Sequence, residues 1–140
     1  MALLNPYIHF TGNAREAMEF YASVFGGELT MSRFGDFPMP GVGPDEADKV
    51  MHGQLTTSAG LTLMGADTPS TMGEVAEGGR ITISLSGSES DGLREYWDGL
   101  AEGGTITMPL NVAPWGDAYG QLTDRFGVEW MVNIAGPAQA

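Results

Sequence analysis

The chain contains no cysteine. That absence excludes disulfides, thiolate metal sites and a cysteine nucleophile. Histidine is nearly missing as well: His9 and His52 are the only two in 140 residues. A histidine-rich zinc site is therefore excluded. Positive charge is scarce, with 6 Lys and Arg against 18 Asp and Glu and a formal net charge of −12. A surface of that sign repels phosphate backbones and anionic lipid, so neither nucleic acid nor a membrane is an expected partner. No stretch approaches the roughly 18 consecutive apolar residues that a membrane-spanning helix needs. Met1-Ala2-Leu3-Leu4-Asn5-Pro6 has no basic region and no long apolar run, which predicts no signal peptide and a cytoplasmic location.

What the chain does have is repetition. Gly26-Gly27-Glu28-Leu29-Thr30-Met31 returns 77 positions later as Gly103-Gly104-Thr105-Ile106-Thr107-Met108. Gly53-Gln54-Leu55-Thr56, then Gly60 and Met64, returns 67 positions later as Gly120-Gln121-Leu122-Thr123, then Gly127 and Met131. Two echoes in one order imply two copies of one structural unit. A unit of this size does not bury its apolar face alone, and two copies are too few for a solenoid. The offsets differ by ten, so the first copy holds ten extra residues, within the Pro- and Gly-rich segment 36–48. That segment is expected to be a loop and a candidate lid.

The order of elements recurs in both copies. Leu3–Phe10 is expected to be a strand. Asn13 with Glu16 fits a capping box at the start of a helix over Ala14–Phe25. Ala17, Phe20, Tyr21 and Val24 mark its buried face by helical spacing, and Gly26-Gly27 ends it. Strands follow over Glu28–Phe34, Lys49–Thr57 and Leu61–Gly65. The second copy repeats this with a strand over Arg80–Ser86. Ser88 or Ser90 then caps a helix with Leu93, Tyr96, Trp97 and Leu100 inward, Trp97 standing 77 positions after Phe20. Strands follow over Thr105–Leu110, Ala118–Thr123 and Val128–Ile134, the last two a hairpin around Asp124-Arg125-Phe126-Gly127. The predicted architecture is α+β: a single domain of two βαβββ modules, 2–66 and 80–135, linked by 67–79, with sheets enclosing a groove and helices outside.

These residues are similar to a known group. Asn5-Pro6-Tyr7-Ile8-His9-Phe10, the helix start Gly12-Asn13-Ala14-Arg15-Glu16-Ala17 and Phe20-Tyr21 resemble the vicinal-oxygen-chelate superfamily of glyoxalase I, extradiol dioxygenases and bleomycin-resistance proteins. Val50-Met51-His52-Gly53-Gln54-Leu55 and Trp115-Gly116-Asp117-Ala118-Tyr119-Gly120, with Asp124, Phe126-Gly127 and Trp130, resemble its PhnB-like branch. The resemblance covers nearly the whole chain. Some members of that branch carry a demethylubiquinone methyltransferase label. This chain shows no glycine-rich turn between strand and helix with a following acidic ribose ligand, as a nucleotide-like cofactor commonly needs.

Metal-dependent members of the superfamily place one ligand, usually His or Glu, on each of four strands. By the resemblance these positions fall on Pro6, Gln54, near Thr82, and Met131. Pro6 has no ligating side chain, Thr82 is a poor ligand, Gln54 offers one neutral oxygen, and Met131 is soft for a hard divalent ion. The standard metal site is therefore expected to be missing. His52 alone keeps a divalent metal open, in a non-standard site. It lies two residues from Gln54, so both side chains project from one sheet face. His52 is either a ligand-contacting group or a hydrogen-bonded structural histidine. His9 is expected to face the helix layer if Ile8 and Phe10 face the groove.

The other candidate ligand-binding residues are Trp115, Asp117, Tyr119, Gln121, Trp130 and Arg33. Trp115 and Tyr119 offer an aromatic wall, and Asp117 a polar anchor or a turn hydrogen bond. Gln121 repeats Gln54. Trp130 lines the pocket or belongs to the core, and Arg33 holds an anionic group or sits exposed near Glu28. The resemblance implies a homodimer, and the residues and the resemblance together imply that it binds a small organic molecule without a metal. The enzymatic alternative is a divalent-metal-dependent lyase, isomerase or dioxygenase using His52. A third is a protein that fills its own groove and works through its surface.

Overall fold

The computed structural model of the chain describes residues 4–36, 42–69 and 81–136. The chain divides between Ala76 and Glu77 into two compact units. In the first, β1 (Tyr7–Phe10) leads to α1 (Ala14–Phe25), followed by β2 (Glu28–Arg33), β3 (Val50–Thr56) and β4 (Thr62–Asp67). The second runs β5 (Ile83–Gly87), α2 (Leu93–Ala101), β6 (Thr105–Val112), β7 (Ala118–Thr123) and β8 (Glu129–Ile134). Each unit forms a four-stranded sheet, in the orders β1-β4-β3-β2 and β5-β8-β7-β6. β1–β4 and β5–β8 are parallel pairs and the rest are antiparallel. The expected pair of βαβββ modules is therefore present. β4 runs through Asp67, one residue into the segment expected to link the modules, and 70–79 lie outside the described residues.

Each helix covers one face of its own sheet. α1 packs on β2, β3 and β4, and α2 on β5, β7 and β8. The residues α1 buries completely are Ala14, Ala17, Met18 and Tyr21, while Phe20 and Val24 stay half-buried. In α2 the buried set is Leu93, Trp97 and Leu100. The spacing 14, 18, 21 thus matches 93, 97, 100, and the counterpart of Trp97 is Met18 rather than Phe20. The glycines confirm that match. A Cβ on Gly53 would meet Met18 at 3.4 Å, and one on the echoing Gly120 would meet Trp97 at 2.7 Å. Glycine at both positions lets the helix anchor lie directly on the strand.

The start of α1 differs from the expected capping box, because Asn13 makes no side-chain capping bond. Buried Asp67 takes its place. Its Oδ1 accepts from the backbone N–H of Gly12 at 2.8 Å and Ala14 at 3.0 Å, and its Oδ2 from Val50 at 3.0 Å. One carboxylate thus ties the helix start to two strands. Ser88 does form a capping box, with Asp91, but over the short 3-10 turn Glu89–Asp91 that precedes α2. The segment 36–48 is anchored at its base, where Gly35 N–H donates to Ala47 O at 2.8 Å; residues 37–41 lie outside the described residues.

The two closing hairpins are near copies. In β3–β4, Leu61 N–H donates to Thr57 Oγ1 at 3.1 Å; in β7–β8, Val128 N–H donates to Asp124 Oδ1 at 3.1 Å. The repeated sequence therefore has a structural reason independent of any ligand.

Candidate functional site

The sheet faces turned away from the helices carry the polar and aromatic side chains. In the first unit the strand parity is set by Phe10, which is buried, and Gly53, which faces Met18. Residues at alternate positions, Tyr7, His9, His52 and Gln54, therefore project from the open face. His52 and Gln54 do share a face, as expected. His9 does not face the helix layer; because Phe10 packs inward, His9 joins Tyr7 on the open side. Tyr7 Oη lies 3.2 Å from His52 Nδ1, and its ring centroid stands 5.3 Å from that of His9 and 5.7 Å from that of His52. Gln54 Nε2 donates to Thr56 Oγ1 at 3.3 Å. Tyr7 escapes a reading of the sequence because its face is fixed only once Phe10 is seen to pack inward.

Burial holds the Tyr7 phenol above its usual ionisation range. A raised value means that the folded state favours the neutral phenol. That contribution is complete below the ordinary pKa of 10.0 and is lost as pH rises through the folded value. Ultraviolet titration should therefore show a late phenolate component, and Tyr7→Phe should remove it.

In the second unit, Leu122, Trp130 and Val132 are buried toward α2, so Tyr119, Gln121, Met131 and Asn133 project from the open face. Gln121 Nε2 donates to Tyr119 Oη at 2.7 Å. Trp115, 62% exposed in the turn before β7, meets Tyr119 edge-on at 5.8 Å between centroids. Trp115, Tyr119 and Gln121 are thus brought together. Tyr119 echoes His52 at the same 67-residue offset by which Gln121 echoes Gln54.

Three candidates are committed elsewhere. Trp130 is 2% exposed on the helix side, and its Nε1 donates to Asp124 Oδ2 at 2.9 Å, so it is a core residue and lines no open face. Asp117 accepts from Gly136 N–H at 2.8 Å and from Asn133 Nδ2 at 3.0 Å. Those bonds, the Gly136 one first, hold its carboxyl below the usual range. Asp117 thus fastens the end of β8 to the turn before β7. Arg33 lies past a register shift in β2, opposite Val50. Its guanidinium bonds to Asp36 at 3.2 Å and Asp48 at 3.1 Å, rather than resting near Glu28.

The donors present do not fit the divalent metal that the resemblance implies. Pro6 precedes β1 with no donor side chain, Gln54 offers one neutral amide oxygen, and Met131 offers a thioether. Among the described residues, no three of His, Asp and Glu come together in a way that holds an ion. A recess of about 390 Å³ does exist beside the start of α1, lined by Glu16, Glu19, Asp45, Asp48 and Lys49 among others. It lies on the helix side, and its buried carboxylate, Asp67, already accepts from three backbone N–H groups. Among the described residues no helix is long and apolar enough to cross a membrane.

Comparison with known proteins agrees with this fold. The family model for the Glyoxalase/Bleomycin resistance protein/Dioxygenase superfamily matches residues 3–132. Protein YjdN of Escherichia coli is 29% identical, over 94% of each chain. Protein PA1353 from Pseudomonas aeruginosa is 36% identical, with a TM-score of 0.84 over 98% of this chain and 100% of its own. A PhnB protein from Bacillus cereus is 25% identical, with a TM-score of 0.67 over 96% of this chain and 100% of its own.

Proposed function

The chain belongs to the glyoxalase/bleomycin resistance protein/dioxygenase superfamily, and from that premise we propose that it binds a small organic molecule on its open sheet faces without a resident metal. The observation that carries this is the make-up of those faces. They present Tyr7, His52 and Gln54 in one unit and Trp115, Tyr119 and Gln121 in the other, which are aromatic surfaces with hydrogen-bonding groups. Among the described residues, the charged groups that the strand register puts there are Glu28, opposite Thr56, and Glu129, opposite Thr123. A neutral or cationic ligand suits such a face better than an anion.

The enzymatic alternative requires a metal held by His52 with non-standard partners, and the donor set argues against it. A homodimer is part of the same proposal. β6 is an edge strand that leaves Ile106 47%, Met108 46% and Val112 75% exposed. An apolar edge of that kind is ordinarily covered. In sedimentation velocity the protein should run as a dimer, and Val112→Glu should shift it toward monomer.

The binding proposal is tested by titrating neutral aromatic fragments, indole among them, into isotope-labelled protein. The indole N–H of Trp115 and the side-chain amide of Gln121 should move together and saturate. Shifts confined to the helix faces, or no saturable shift, would overturn the proposal and favour a protein that works through its outer surface.

A further inference from the structure

The bond between Gln121 and Tyr119 has a chemical consequence. It uses one hydrogen of the carboxamide and one lone pair of the phenol oxygen. The phenol keeps its own hydrogen, and the carboxamide keeps its oxygen. Neither has another partner among the described residues. Both sit on one face of β7, two residues apart, and the bond between them holds them side by side. The face therefore presents a donor next to an acceptor.

We propose that this pair binds the cis-amide edge of a planar ring, that is, a lactam. The ligand's carbonyl accepts from Tyr119 O–H while its ring N–H donates to Gln121 Oε1. This rests on the small-molecule reading above and narrows it to a ligand class. The surroundings suit a flat ring. Met108 and Met131 pair with Gln121 from the two neighbouring strands, and thioethers pack well on ring edges. Trp115 stands against Tyr119 and supplies an aromatic wall.

Other ligand edges match less well. A carboxylate brings two acceptors and would set one against the Gln121 oxygen. An amidinium brings two donors and meets the Tyr119 hydrogen. An open-chain trans amide carries its donor and acceptor on opposite sides. The first unit shows how specific the pair is. There His52 takes the place of Tyr119, and Gln54 donates to Thr56 instead. The donor–acceptor pair belongs to the second unit.

The test uses three probes: 2-pyridone, its N-methyl derivative and N-methylacetamide. Binding is followed through the Trp115 indole N–H and the Gln121 side-chain amide. 2-Pyridone should bind about tenfold more tightly than N-methyl-2-pyridone, and N-methylacetamide should cause no saturable shift. Tyr119→Phe keeps the ring beside Trp115 and should weaken 2-pyridone about fivefold, as loss of one hydrogen bond does. Equal affinity for 2-pyridone and its N-methyl derivative would overturn the lactam assignment while leaving fragment binding intact. Failure of all three probes to move either signal would also overturn it, and the indole titration would then show separately whether the broader proposal stands.

Discussion

Asp67→Ala is expected to destabilise the protein by about 3 kcal/mol or more, from the cost of three buried donors losing their acceptor. Asp67 is 4% exposed, so no bulk water replaces the lost oxygens. The Gly12 and Ala14 N–H groups lie at the start of α1, and that of Val50 opens β3. Both elements would loosen together. Asp67→Asn should be milder but still costly, since its NH2 group must face at least one of the same N–H donors. Urea unfolding measures the loss, and amide exchange at Gly12, Ala14 and Val50 localises it. A loss within about 0.5 kcal/mol, the range of an ordinary surface change, would show that Asp67 does not fasten the helix to the sheet.

Gly27→Ala should be almost as damaging, and more so than Gly26→Ala next to it, which meets backbone strain alone, about 1–2 kcal/mol. Both glycines have positive φ, 73° at Gly26 and 90° at Gly27. Only Gly27 is also crowded: an added Cβ would overlap the carbonyl oxygen of Thr56, whereas nothing lies within 4 Å at Gly26. A backbone oxygen in a sheet cannot swing aside as a flexible side chain can. Strain and overpacking together put Gly27→Ala at about 3 kcal/mol. In the second unit a Cβ on Gly104 would overlap the carbonyl oxygen of Thr123 in the same way, so Gly104→Ala should also be severe. Equal melting curves for the Gly26 and Gly27 variants would contradict this.

That contrast bears on what the sequence made legible. The Gly-Gly echo disclosed the repeat because both copies need a helix stop and a close approach to the neighbouring strand. The βαβββ order followed from periodicity and turn residues, and the bounds of α1 emerged as expected. The helix phase did not. Counting from the glycine echo pairs Trp97 with Phe20, but α1 (Ala14–Phe25) and α2 (Leu93–Ala101) differ in length, so Met18 takes that position. The origin of the helix cap was also hidden, because Asp67 reaches Ala14 from 53 residues away. Local spacing cannot reveal so distant a bond.

The candidate site was legible in part. Strand alternation put His52 beside Gln54 on a common face, whereas Tyr119 and Gln121 were separate candidates that the structure brings together. Alternation tied the face of His9 to that of Ile8 and Phe10 without fixing either, because which parity turns inward depends on where the helix packs. Trp130, Arg33 and Asp117 were chemically suitable but already engaged, by Asp124, by Asp36 and Asp48, and by Asn133 and Gly136. Residue type alone does not reveal a partner that the fold supplies.

The most direct test of binding without a resident metal is the metal content of protein purified without chelator, with His52→Ala alongside. Far less than one divalent ion per chain is expected in both proteins, with no uptake on incubation with Zn²⁺, Mn²⁺ or Ni²⁺. Near-stoichiometric metal in the parent protein, lost in His52→Ala, would contradict it and make metal-dependent catalysis the leading explanation.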